Sequence, residues 1–366
     1  MNKLVVKSLC KNALSESDCK VLRGISMLCI VAHNYCHWLP DMTQENEFQW
    51  KISNVQAFLN SLATSDGCCL SMCLFSFFGH YGVPVFLFLS AYGLEQKYGN
   101  GMSVRGGVGG FAVRHYCKLW KMMAPGFLVA FALSLWMIVP PHDFSMPEFA
   151  AMLGMAGNLF PDPSAVIWPG PYWYFGVMLQ LYVVYRFFVF RHSLSWTLSL
   201  IALCVCVQMF LIPDGGVMRW YRYNFFGSFL PFGMGVVFAR QEKRVANLLQ
   251  STLWLYVGFI VLMSLVILSG FNFFTWTFTP AFVCLLAVVL VKLLPRRLRV
   301  VFEWVGGISA ALFVWHPIVR SVVIVSGLDQ TVGFLLYLTL SIVLSWLITH
   351  KFGNVALVDE CNNKNS

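Results

Sequence analysis

The sequence predicts an all-α polytopic membrane protein with about ten transmembrane helices. Three observations carry that prediction: a membrane-like composition, apolar runs that recur along the whole chain, and basic residues confined to alternate connections. Of 366 residues, 58% are hydrophobic and 11% are charged, where a soluble domain has about 25% charged residues. A helix needs roughly 17–25 apolar residues to cross a hydrocarbon core of ~30 Å. Such runs occupy residues 21–40, 70–94, 113–139, 172–190, 193–212, 224–240, 252–269, 272–293, 306–326 and 331–350.

The charges give these spans an expected direction. With the N-terminus inside, the inner connections collect 21 of the 25 basic residues and leave Lys51, Arg219, Arg222 and Arg320 outside. That asymmetry follows the positive-inside rule and makes both termini cytoplasmic in a cell inner membrane. The net charge of +9 then reports topology and attraction to anionic lipid headgroups, and no nucleic-acid partner is expected. Residues 1–20 are expected to be a cytoplasmic segment, because the apolar run begins late and no small-residue cleavage site follows it. Residues 21–350 form the transmembrane domain, and the polar tail at 351–366 is expected to be disordered. There is no internal repeat of the kind that marks inverted-repeat transporters.

Two connections stand out. Residues 41–69 are acidic (Asp41, Glu45, Glu47, Asp66) and external. Residues 140–171 are also external and rich in proline (Pro140, Pro141, Pro147, Pro161, Pro163, Pro169, Pro171), with Trp168 and Tyr172 at their end. Long ordered loops often carry function, so both are candidates to frame an acceptor site; an aromatic interfacial belt is the plain alternative for Trp168 and Trp173. The glycine-rich stretch 99–110 lacks the spacing of a nucleotide-binding motif and reads as an inner linker. The twelve cysteines show no CxxC pair and no metal-ligand spacing, so no metal site is expected. Cys29, Cys204, Cys206 and Cys284 read as packing residues within spans, and Cys68, Cys69 and Cys73 fall near the outer face, where a disulfide is open to them.

Candidate chemistry centres on the first span. Arg23 stands at its start, and His33 and His37 lie within its apolar run with Asn34 beside them. Ionisable groups at bilayer depth are costly and mark functional sites. A rise of about 1.5 Å per residue puts His33 roughly 15 Å beyond Arg23, and His37 follows one turn later on the same face. His80 and His316 are expected at similar depth, about ten residues into their spans by the same rise, although either can simply bond a neighbouring helix. Histidine suits proton abstraction near neutral pH, and arginine suits a phosphate or a developing oxyanion. On the inner face, Arg114, His115, Lys118 and Lys121 have helical spacing and are candidates to receive phosphates. The alternative for each is a headgroup anchor.

In this order, these segments resemble acyltransferase family 3, the integral-membrane O-acyltransferases, from about residue 20 to 350. Arg23-Gly24-Ile25 with His33 matches the family's first-span pattern. The run Gly82-Val83-Pro84-Val85-Phe86-Leu87-Phe88-Leu89-Ser90-Ala91-Tyr92-Gly93 approaches its second-span pattern. Arg114 to Lys121 resembles the basic start of its third span, and Trp173-Tyr174-Phe175 the opening of a later one. Gly307-Ile308-Ser309 and Leu312-Phe313-Val314-Trp315-His316-Pro317 resemble its ninth-span region. The family usually places ten residues between the arginine and its catalytic histidine, whereas nine stand here, so Asn34 occupies the expected slot. One residue is a rotation of about 100°, and His37 becomes a rival to His33. Ala91 stands for a typical glycine and Ala311 for a frequent aromatic.

The resemblance implies transfer of an acyl group, most simply acetyl from acetyl-CoA as co-substrate, onto a hydroxyl of an envelope polysaccharide or glycolipid. It implies His33 as general base or acyl relay and Arg23 as the group that steers the donor or stabilises charge on the thioester oxygen. His37 and His316 would assist, and Arg114, Lys118 and Lys121 would bind CoA phosphates. Acyl-CoA, the glycan or glycolipid acceptor and membrane lipids are the expected partners, with no tightly bound cofactor. Two rival readings are an exporter of a saccharide or lipid precursor, and a non-catalytic scaffold in an envelope-polymer complex.

Overall fold

A computed structural model describes residues 13–40, 42–64, 67–99, 107–139 and 142–353. Several expectations fall outside the described residues: those on Asp41, Asp66, Pro140 and Pro141, on the linker 100–106 with Arg105, on residues 1–12 and on the tail from 354. Among the described residues all regular structure is helical. The chain runs through α1 (Glu16–Cys36), α2 (Ile52–Thr64), α3 (Gly67–Phe78), α4 (Gly82–Tyr98), α5 (Gly107–Leu135) and α6 (Met146–Leu153). It continues with α7 (Pro163–Val166), α8 (Trp173–Val184), α9 (Leu194–Met209), α10 (Gly216–Tyr223), α11 (Phe225–Arg240) and α12 (Glu242–Leu248). The last elements are α13 (Thr252–Ser269), α14 (Phe273–Trp276), α15 (Thr279–Leu293), α16 (Arg296–Val325) and α17 (Gln330–Phe352).

Each of the ten expected segments coincides with helix, yet five stretches have the length and apolarity to cross a bilayer: Cys69–Tyr98, Gly107–Leu135, Thr252–Ser269, Arg296–Val325 and Gln330–Phe352. Helices α9, α11 and α15 are apolar but have 16, 16 and 15 residues. At about 1.5 Å per residue they fall short of the hydrocarbon thickness. Helix α1 has 21 residues, but its first two turns carry Glu16, Asp18, Lys20 and Arg23. The fold is therefore all-helical with five membrane-length helices, and helix length alone does not bring the count to ten.

Burial sorts the long helices into centre and periphery. In Cys69–Tyr98, 78% of the apolar window is buried, against 17% in α13 and 22% in α17. The exposed Leu253, Trp254 and Ile260 of α13 and Leu335, Val343 and Leu347 of α17 thus suit contact with lipid tails.

Helix α1 begins at a capping box, with the Ser15 side chain accepting from the Asp18 amide and the Asp18 side chain accepting from the Ser15 amide. It packs most extensively on α16. The approach is close enough that a Cβ at Gly24 would overlap the Phe302 carbonyl, and one at Gly306 would overlap the Lys20 carbonyl. Such small residues are what let helix backbones meet. Buried Asp18 ties the same end together, receiving hydrogen bonds from Lys292 at 2.6 Å and Arg299 at 2.7 Å. The basic residues expected in a connection before residue 306 are helical instead, and Arg299 among them bonds to Asp18. Helix α16 is 30 residues long, and His316 lies 20 residues from its start rather than about ten.

The short connection between α8 and α9 is held by Arg240. It donates to the Val189 and His192 carbonyls, each at 3.0 Å, and to the Glu95 carboxylate at 2.8 Å. The disulfide considered among Cys68, Cys69 and Cys73 turns on Cys68, whose side chain lies outside the described residues; Cys73 Sγ is 3.7 Å from Met42 Sδ.

Candidate active site

The last turn of α1 places His33, Asn34 and His37 on the wall of one cavity of about 520 Å³. The α3–α4 junction presses against this turn. Gly79 is so near that an added Cβ would sit 2.7 Å from both the Cys29 carbonyl oxygen and the His33 Cβ. That contact brings His80 beside His33, with ring centroids 5.6 Å apart. The rings of His33 and His37 lie 4.7 Å apart, edge to face. His33 is buried, and its Nδ1 stands 3.0 Å from the Ser76 carbonyl oxygen. A carbonyl can only accept, so Nδ1 carries the proton and Nε2 keeps the lone pair. A neutral imidazole in that tautomer is ready to take a proton at Nε2.

Both long connections close over the cavity. Glu45, Glu47 and Phe48 line it from the first, and His142, Ser164, Ile167 and Trp168 from the second. The Glu45 carboxylate reaches 3.5 Å from His37 Nδ1. Burial raises the Glu47 carboxyl to about 8, the Glu45 charge adds to the rise, and Arg222 opposes it. Glu47 is therefore protonated at neutral pH. From α16 comes Arg320, buried, donating from Nη1 to the Asn34 carbonyl at 3.2 Å and Asn34 Oδ1 at 3.4 Å. Its guanidinium lies 4.8 Å from the Trp38 ring centroid. Among the described residues Arg320 has no carboxylate within ion-pair distance. A buried cation without a counter-ion is costly, and its fork of donors suits an anion or a developing oxyanion.

Toward the Arg23 end of α1 lies a second cavity of about 320 Å³, lined by Arg23, Lys97, His115 and Lys118 together with Ser90, Tyr98 and Ser309. Tyr174 and Phe313 line both cavities, with ring centroids 5.1 Å apart. The two spaces therefore meet at one aromatic pair, with the basic groups on one side and the histidines on the other.

The family model of an acyltransferase domain matches residues 18–350, nearly the whole chain. This chain belongs to acyltransferase family 3. No curated protein and no solved structure matches it. The acyltransferase is accordingly a membrane protein that transfers acyl groups.

The expected site residues divide between the two cavities. His33, His37 and His80 share the larger one, and Arg23 and Lys118 the smaller. Arg114 and Lys121 point away on the exposed face of α5 and line neither. Lys97 and His115 stand in the smaller cavity with Lys118. His316 is fully buried, donates from Nδ1 to the Leu312 carbonyl oxygen at 2.9 Å, and lines neither cavity. Asn34, in the slot where the family's histidine is usual, binds back to the Ile30 carbonyl and receives Arg320. The connections that carry Glu45, Glu47 and His142 were expected to frame an acceptor site, but none of the three had an individual role, and Arg320 had none at all. One signal was present for the last: Arg320 breaks the inside bias of the basic residues and follows His316 by one helical turn.

Proposed function

We propose that this acyltransferase moves an acetyl group from cytoplasmic acetyl-CoA to a hydroxyl of an envelope polysaccharide or glycolipid. One observation carries the reading: a basic cavity and a histidine cavity that meet at Tyr174 and Phe313. CoA bears its phosphates far from its thioester, on a flexible arm. Arg23, Lys97 and Lys118 suit the anionic end of such a donor, and the thioester can pass the aromatic pair to reach His33.

In the reaction, His33 Nε2 takes the acceptor hydroxyl proton as the oxygen adds to the thioester carbonyl. Arg320 faces the negative charge that develops on the carbonyl oxygen, a role in which a positioned donor is worth about 10²–10³ in kcat. The C–S bond then breaks, and the proton passes from the His33 imidazolium to the departing thiolate, leaving CoA and the new ester. His37, beside Glu45, orients the acceptor, and His316 packs behind the site. This reading takes the shorter apolar helices as further crossings, about ten in all. It sets the Arg23 end and both termini on the cytoplasmic side of the inner membrane, as the positive-inside rule requires.

The test is mass spectrometry of cell-surface glycans and glycolipids with the wild-type chain, with H33A, and without the chain. A mass difference of one acetyl group, lost in H33A at normal protein levels, is expected. No acyl difference in any envelope fraction would refute the reading, and full retention in H33A with loss in H37A would move the base to His37.

A further inference from the structure

The larger cavity also contains a ligand set of a different kind. His33 and His37 stand at i and i+4 of one helix, the spacing that brings two imidazoles to one face. Glu45 approaches from the connection that follows. One ring nitrogen of each histidine and one oxygen of Glu45 lie within 4.8 Å of one another. His37 Nδ1 and Glu45 Oε2 are both buried and face each other at 3.5 Å, yet neither has a hydrogen-bond partner among the described residues. Buried polar atoms are seldom left so. The Nδ1 of His33 is turned to the Ser76 carbonyl, which is how a metal-binding imidazole is usually held so that its other nitrogen presents a lone pair. Both ring nitrogens of neighbouring His80 also lack a hydrogen-bond partner among the described residues.

We propose that His33, His37 and Glu45 bind a divalent transition-metal ion of the zinc class, and that its binding stops acyl transfer by occupying the lone pair of His33. Two imidazoles and a carboxylate are an established zinc ligand set, and tetrahedral zinc holds such atoms about 3.3 Å apart. Closing from 4.8 Å asks a small rotation of each side chain. Arg320 in the same cavity opposes a dication, while Glu45 favours it, so the site is an inhibitory one of moderate affinity rather than a permanent structural centre. The binding half stands on geometry alone; the inhibitory half rests on His33 being the base.

The experiment uses the full chain, purified in detergent without an affinity tag and stripped of metal by chelation. Co²⁺ is titrated by its visible absorption and then displaced by Zn²⁺. One equivalent of Co²⁺ is expected to bind with a tetrahedral spectrum, and H37A and E45Q are each expected to weaken binding by at least about tenfold. Thermal melting of both variants confirms that they fold, and E45Q, which keeps the side-chain shape, decides the matter if H37A does not. Absence of saturable binding, or equal binding in E45Q and the parent, overturns the site. In the acyl-transfer assay, Zn²⁺ is expected to inhibit at the concentration at which it binds, with activity restored by chelator. Saturable binding with undiminished transfer overturns the inhibitory role. A metal-free protein that transfers no acyl group counts against the proposed function, and the Co²⁺ titration still decides the site.

Discussion

Replacing Arg320 by Gln separates a chemical role from a structural one. The guanidinium makes its resolved bonds through Nη1 to Asn34 and lies over Trp38, and no carboxylate pairs with it among the described residues. Its removal therefore strands no buried acid. The losses are about 1 kcal/mol for a hydrogen bond and about 0.5–2 kcal/mol for the cation–π contact. Relief of an uncompensated buried charge offsets part of both. The net change in stability is small, roughly 1 kcal/mol. If Arg320 faces the oxyanion, kcat falls by about 10²–10³, equivalent to ~2.7–4 kcal/mol. The assay is CoA release and acceptor labelling by purified protein, with thermal melting in the same detergent. Lysine at this position keeps the charge but loses the planar fork, and is expected to be intermediate. Added guanidinium is expected to restore part of the activity of R320A. An R320Q protein that folds and turns over like the parent would remove Arg320 from the oxyanion.

Other outcomes follow from the same geometry. Asp18→Asn leaves Lys292 and Arg299 without their buried carboxylate and is expected to cost about 3–5 kcal/mol, seen as a lowered melting temperature; K292A, which keeps Arg299, should cost less. Phe313→Ala widens the contact between the two cavities and is expected to raise CoA release without acceptor acylation, whereas F313W should slow transfer; unchanged coupling in both would remove the pair from the donor path. The raised carboxyl of Glu47 means that the folded state keeps a proton which the unfolded chain loses in the ordinary carboxylate range. Stability is therefore expected to fall as pH rises from that range to about 8 and to level off above it. Melting curves across that interval should show the decline, and E47Q should abolish it.

Much of this arrangement is legible along the chain, because helices announce themselves locally. Every apolar run coincides with helix, although the short helices α2, α6, α7, α10 and α12 lie between the runs, and the spacing of Arg23 and His33 put the two on one helix. What escaped was made by contacts between distant residues. Arg320 meets Asn34 across 286 positions, and Glu45 reaches His37 only after the chain turns beyond α1. Arg299 illustrates the converse failure. Arg296, Arg297 and Arg299 read as part of an inner connection, but they lie in the first turn of α16, where Arg299 bonds the buried Asp18. The exceptions to the inside bias were the better guide, since Arg222 and Arg320 both stand at the walls of internal cavities.

The most direct measurement uses proteoliposomes of known orientation, with labelled acetyl-CoA confined to the side of the Arg23 cavity and a hydroxyl acceptor to the other. Label is expected on the acceptor with stoichiometric release of CoA, and H33A is expected to abolish both. Label that crosses without release of CoA, or transfer that survives in H33A and H37A alike, would contradict the proposed acyl transfer.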